Sequence, residues 1–157
     1  MAEGSFTFVM NAKDLQKLNA ALSGLEEVDK ANVIQSALKS GMEKIVNQGK
    51  SNLSSRNKVK TGNLKRSFSI SVNKRKSYTL GGFKRSAPKK GIKGANHSYL
   101  VDKGTGLRWT KGHAFRGSAN GTLFWTDAVN TVGPQAQNGL MDAIYKAMDD
   151  IIGKNMK

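Results

Sequence analysis

The apolar positions of this chain change period several times, and each change marks an element. Phe6, Phe8 and Met10 alternate with Thr7 and Val9, which predicts a short N-terminal strand. Asn11 then stands where it can cap a helix carrying Leu15, Leu18 and Leu22, closed by Gly24. Ile34, Leu38, Met42, Ile45 and Leu53 fall at spacings of three, four or their multiples. They form one apolar stripe opposite Gln35, Lys39, Glu43, Asn47 and Lys50. A long amphipathic helix is predicted over residues 29–53.

After a polar, basic loop at 54–60 the period becomes two. Phe68, Ile70 and Val72 alternate with Ser67, Ser69 and Ser71, the pattern of a half-buried strand. A basic turn at 73–77 leads to a returning strand with Tyr78, Leu80 and Phe83, with Gly81 and Gly82 suggesting a bulge. No period survives over residues 84–96, which reads as a long mobile loop. Residues 97–103 read as a further strand with Tyr99 and Val101 on one face. Glycines at 104, 106, 112, 117 and 121 punctuate a second irregular loop. A short helical segment follows over 123–129. Pro134 then stands as a first-turn proline of a C-terminal amphipathic helix carrying Leu140, Met141, Ile144, Tyr145, Met148, Ile151 and Ile152. The expected fold class is α+β, a small antiparallel sheet with two or three amphipathic helices packed on one face and long loops, in a single domain over 1–157.

Charge changes this picture most. The 157 residues hold 26 Lys+Arg against 11 Asp+Glu, a formal net charge of +15. Between Glu43 and Asp102 there is no acid, and 15 of the cations lie there. Acids collect instead at Glu26, Glu27 and Asp29, and at Asp142, Asp149 and Asp150. Such a surface favours polyanionic or acidic partners. With no Cys, a disulfide framework, a thiolate zinc site and a cysteine nucleophile are excluded. No run approaches a membrane span and no signal peptide is expected.

Little remains for hydrolytic or metal chemistry. His97, His113, Asp102 and Asp127 make a metal site only on paper, since their spacing matches no recurring ligand pattern. His97 and Ser98, adjacent in a strand, would point to opposite faces, which disfavours a nucleophile–base pair. The chain is expected not to be an enzyme and to need no cofactor.

One stretch points further. Lys60-Thr61-Gly62-Asn63-Leu64-Lys65-Arg66-Ser67, following a long amphipathic helix and entering a strand, resembles the tail-completion (head–tail joining) proteins of long-tailed bacteriophages. Ser98-Tyr99-Leu100-Val101-Asp102-Lys103-Gly104-Thr105 looks like that family's aromatic-x-Val-acidic-x-Gly-Thr strand end. Leu123-Phe124-Trp125-Thr126-Asp127-Ala128-Val129 sits where the family carries an aromatic segment leading into its last helix, although Gly121-Thr122 replaces its frequent proline. The resemblance spans nearly the whole chain and rests on the order of short motifs. It implies a structural subunit of the virion neck, assembled in the host bacterial cytoplasm as a closed, six-fold ring that joins the head to the tail tube. Its partners would be copies of itself, adjacent neck, connector and tail-tube proteins, and packaged DNA touched non-specifically. No membrane partner is implied.

The residues themselves leave alternatives open. Thr61 to Leu64 also suits a plain turn, with Thr61 capping, Gly62 and Asn63 accepting unusual dihedrals, and Leu64 plugging the core. The basic stretch suits a polyanion, an acidic neighbour or an ordinary solvated surface. No helix-turn-helix, zinc-finger or RNA-recognition signature is present, so any DNA contact would be to phosphates. A stand-alone, sequence-indifferent nucleic-acid-binding module is therefore the second reading. Trp125 fits the core, while Trp109 beside Arg108 and Lys111 fits an interface. The residues expected to face a partner or DNA are Lys65, Arg66, Lys74, Arg75, Lys76, Lys84, Arg85, Lys89, Lys90, Lys93, Arg108 and Trp109. The cationic turn at 74–76 is expected to serve contacts outside the subunit.

Overall fold

The structure, a computed structural model, describes residues 6–7, 13, 16–17, 20, 22–23, 25–56, 62–73, 78–84 and 95–155. The longest element is α1, Glu27–Arg56, three residues longer at its C-terminal end than its apolar stripe predicts. It buries Val33, Ala37, Leu38, Met42, Ile45, Val46 and Leu53 along one side. Ile34 is only partly covered. Before α1, the described residues Lys13, Gln16, Lys17, Ala20 and Leu22 are helical, and Leu22 is buried. Leu15, Leu18 and Gly24 lie outside the described residues.

A sheet lies against α1. It is formed by β1 (Phe6–Thr7), β2 (Phe68–Asn73) and β3 (Tyr78–Phe83) in the order β1-β3-β2, antiparallel throughout. The β2–β3 register pairs Phe68 with Phe83, Ile70 with Gly81 and Val72 with Thr79. The serines alternate with the apolar side chains, so Phe68, Ile70, Gly81 and Phe83 share the face turned to α1. The ladder has no bulge at Gly81. That glycine is instead a contact point, because a Cβ there would collide with Met42 Sδ and Cγ. Helix and sheet approach each other over a residue with no side chain.

The rest of the chain wraps this pair. Residues 63–66 form a single helical turn, α2 (Asn63–Arg66), entered through Gly62 at φ +68°. The strand expected at 97–103 is a short helix, α3 (Ser98–Lys103). The run is too short for periodicity to separate helix from strand. Its backbone closes on itself, Val101 N–H donating to His97 O, while the carbonyls of Val101 and Asp102 accept from Thr122 and Leu123. His97 and Ser98 therefore begin a helix and do not alternate across a strand. The glycine-rich stretch is not irregular either. β4 (Gly104–Trp109) and β5 (Phe115–Asn120) form a separate two-stranded hairpin.

Two helices complete the chain, α4 (Phe124–Asn138) and α5 (Leu140–Asn155). Pro134 lies inside α4, not in the first turn of the last helix. It removes the amide that would pair with the carbonyl four residues earlier. The helix continues regardless, because Gly133 and Ala136 are buried against the core, and it ends at Gly139. The two helices pack chiefly on α1, not on the sheet. The fold is thus α+β, with α1 between a small sheet and an α4–α5 pair. Where the layers meet, Phe68 and Phe83 lie 4.4 Å apart, with Phe124 and Trp125 at 5.5–6.3 Å from them. Gly49 of α1 makes room for this group, since a Cβ would sit 2.8 Å from the Trp125 ring.

Candidate interaction surface

The β4–β5 hairpin is positioned by its root. Leu123 takes a left-handed conformation, φ 50°, and offers no side-chain cap to α4. The first amides of a helix need acceptors, and here Asp102 of α3 supplies them from a distance in sequence. Its Oδ1 accepts from the Trp125 and Thr126 amides at 2.7 and 3.2 Å, and its Oδ2 accepts from the Thr126 hydroxyl at 2.6 Å. On the other side, the Asn52 amide donates to Phe124 O at 3.0 Å. The Arg56 guanidinium donates to Thr122 O and pairs with Asp127.

Two glycines then let the chain cross itself. Gly104, at φ +82°, lies against Ala119 O and Gly121 N, and a Cβ on Gly121 would run into the Asp102–Gly104 backbone. The acidic-x-Gly-Thr segment thus joins a buried helix cap to the base of an arm.

Beyond that root the arm leaves the body, its main packing outside itself being on α3. From Thr105↔Ala119 to Arg108↔Gly117 the register gains a residue on β4, and from there to Trp109↔Phe115 it gains one on β5. These bulges hide the alternation from a sequence reading. The tip is tied by Thr110 N–H to Ala114 O and His113 N–H to Thr110 O, with His113 left-handed at φ 58°. Leu107, Trp109 and Phe115 are 70, 61 and 56 % exposed, and the Trp109 and Phe115 rings meet at a tilt of 54°, 4.9 Å apart. Arg108, Lys111 and Arg116 give the arm three positive charges and no negative one.

The described ones among the expected contact residues fall in two places. Lys65 and Arg66 are exposed on α2, and Lys84 is exposed beside them, its N–H bonded to Ser67 O. Arg66 is held by Asn63 Oδ1 at 3.0 Å. Lys74, Arg75, Lys76, Arg85, Lys89, Lys90 and Lys93 lie outside the described residues. The residues bracketing 74–77, Asn73 and Tyr78, pair at the end of the β2–β3 hairpin opposite Lys84. Arg108 and Trp109 belong to the separate arm. The turn reading of residues 62–64 is met in part. Gly62 is left-handed and Leu64 packs on the core, but Asn63 is helical and Thr61 lies outside the described residues.

The sequence marks residues 104–120 as a loop that orders against neighbours, with Arg108 and Trp109 as its named contacts; Leu107, Phe115 and Arg116 join them on the arm. Their signal was Leu-x-Trp and Phe-Arg flanking a Lys-Gly-His turn. The four residues of the paper metal site are differently employed. Asp102 caps α4, Asp127 pairs with Arg56, His97 opens α3 and His113 turns the arm. Among the described residues no three His, Asp or Glu side chains converge to hold a metal, and no helix is long and apolar enough to cross a membrane. Comparison with protein-family models, curated proteins and solved structures gives no match.

Proposed function

We propose that the chain is a structural assembly subunit, of the kind that joins head to tail in the neck of a long-tailed phage, and works as a closed ring. The observation that carries this reading is the β4–β5 arm. A two-stranded hairpin is marginal in water on its own, and this one extends Leu107, Trp109 and Phe115 into solvent. Exposed apolar groups rimmed by charge are the mark of a surface that is covered in use. The neck assignment rests on the resemblance. It is supported by the employment of its motif residues in building the arm's root, Asp102 as cap and Gly104 as crossing point.

The same arm favours a second reading. Exposed aromatics among Arg108, Lys111 and Arg116 are also what a single-stranded nucleic-acid binder offers. Native mass spectrometry across protein concentration, beside gel retardation of DNA across salt, separates the two. A ring subunit gives a discrete oligomer at raised concentration and holds DNA weakly. A persistent monomer or dimer that binds DNA with a steep log–log salt slope would overturn the assembly reading.

A further inference from the structure

We infer that the cationic arm docks on the exposed face of α5 in a second copy of this chain. The inference rests on the assembly reading and names the surfaces that would join. The arm needs a partner that is acidic and partly apolar. Asp142, Tyr145 and Asp149 stand at i, i+3 and i+7 of α5, which places them on one side of the helix. All three are exposed, Tyr145 by 48 %, with Lys146 and Asp150 flanking them.

Of the other described acids, three are engaged elsewhere, while Glu26, Glu27 and Asp29 form a second acidic group at the start of α1. Asp102 is buried in its cap, Asp127 pairs with Arg56 and Glu43 with Lys39. In a chain of net charge +15 the three carboxylates of α5 are one of two acidic groups, and the one that stands beside an exposed tyrosine. Tyr145 offers an aromatic ring with a polar end to Trp109 and Phe115, as interface tyrosines do. The arm rests on α3 while α5 rests on α1 and α4, so the contact joins two different patches of the fold. Two different patches joined head to tail generate a ring when the rotation closes.

A charge swap tests the contact. Arg108→Glu with Arg116→Glu should abolish the oligomer seen by native mass spectrometry. Asp142→Lys with Asp149→Lys should abolish it separately. Equimolar mixing of the two variants should restore mixed oligomers, because each supplies the complement the other has kept. Every position is exposed, so melting temperatures should stay within a few degrees of the parent, and circular dichroism checks this. Loss in both variants with recovery on mixing supports the contact. An oligomer that survives both reversals overturns this contact and leaves the assembly reading standing. A parent chain that is monomeric at every concentration overturns both. In that case, loss of DNA retention in the Arg108→Glu, Arg116→Glu variant would assign the arm to nucleic acid.

Discussion

Replacing Asp102 by Ala should be the most damaging polar substitution in the described structure. The carboxylate is 6 % exposed and accepts three hydrogen bonds, two from α4 amides and one from Thr126 Oγ1. Loss of a helix cap alone costs about 0.5–2 kcal/mol. Each buried donor left without an acceptor adds about 1–3 kcal/mol. The Trp125 amide is buried and has no water to turn to, whereas that of Thr126 is only partly covered. The sum for Asp102→Ala is about 1.5–5 kcal/mol. For a chain of this size that is a fall of roughly 3–20 °C in Tm. Asp102→Asn keeps one acceptor oxygen and should lose about 1–2 kcal/mol. Urea and thermal unfolding followed by circular dichroism measure both, with Lys44→Ala as an exposed control. An Asp102→Ala loss no greater than that of the control would refute the remote cap. It would also remove the account of how the arm's root is fixed.

Three further substitutions test the layering. Leu38→Ala should cost about 2–5 kcal/mol in urea unfolding, against almost nothing for the exposed Lys39→Ala. Gly81→Ala should lose about 1–3 kcal/mol by overpacking against Met42, and a neutral result would mean that α1 does not meet the sheet there. Thr79 is fully buried and its hydroxyl has no partner in the described structure. Thr79→Val should therefore raise stability by about 1 kcal/mol, read as a higher Tm.

The elements that could be read from sequence are those with a sustained period. The α1 stripe gave that helix and its buried side, and the serine alternation of 67–72 gave β2 and its face. Trp125 was placed in the core and Trp109 outside it, and both lie there at 3 and 61 % exposed. The misreadings have local physical causes. Tyr99 and Val101 alternate over too short a run, and their helix is settled by carbonyls that pair across to Thr122 and Leu123. β4 and β5 each carry an extra residue, so no period of two survives in them. Gly81 looked like a bulge because a helix packed on a sheet leaves no trace in the strand's own sequence. Asp102 could not be read as a cap, since its amides lie 23 and 24 residues away. The contact surface was legible as composition, basic residues beside Trp109, but not as an arm.

The most direct test of the assembly reading is deletion of the coding sequence from its source genome, followed by electron microscopy of the tailed particles that genome releases. The account predicts DNA-filled heads lying beside finished but unattached tails, with joining restored by the intact chain supplied from a plasmid. Normally joined, infectious particles in the deletion would contradict it.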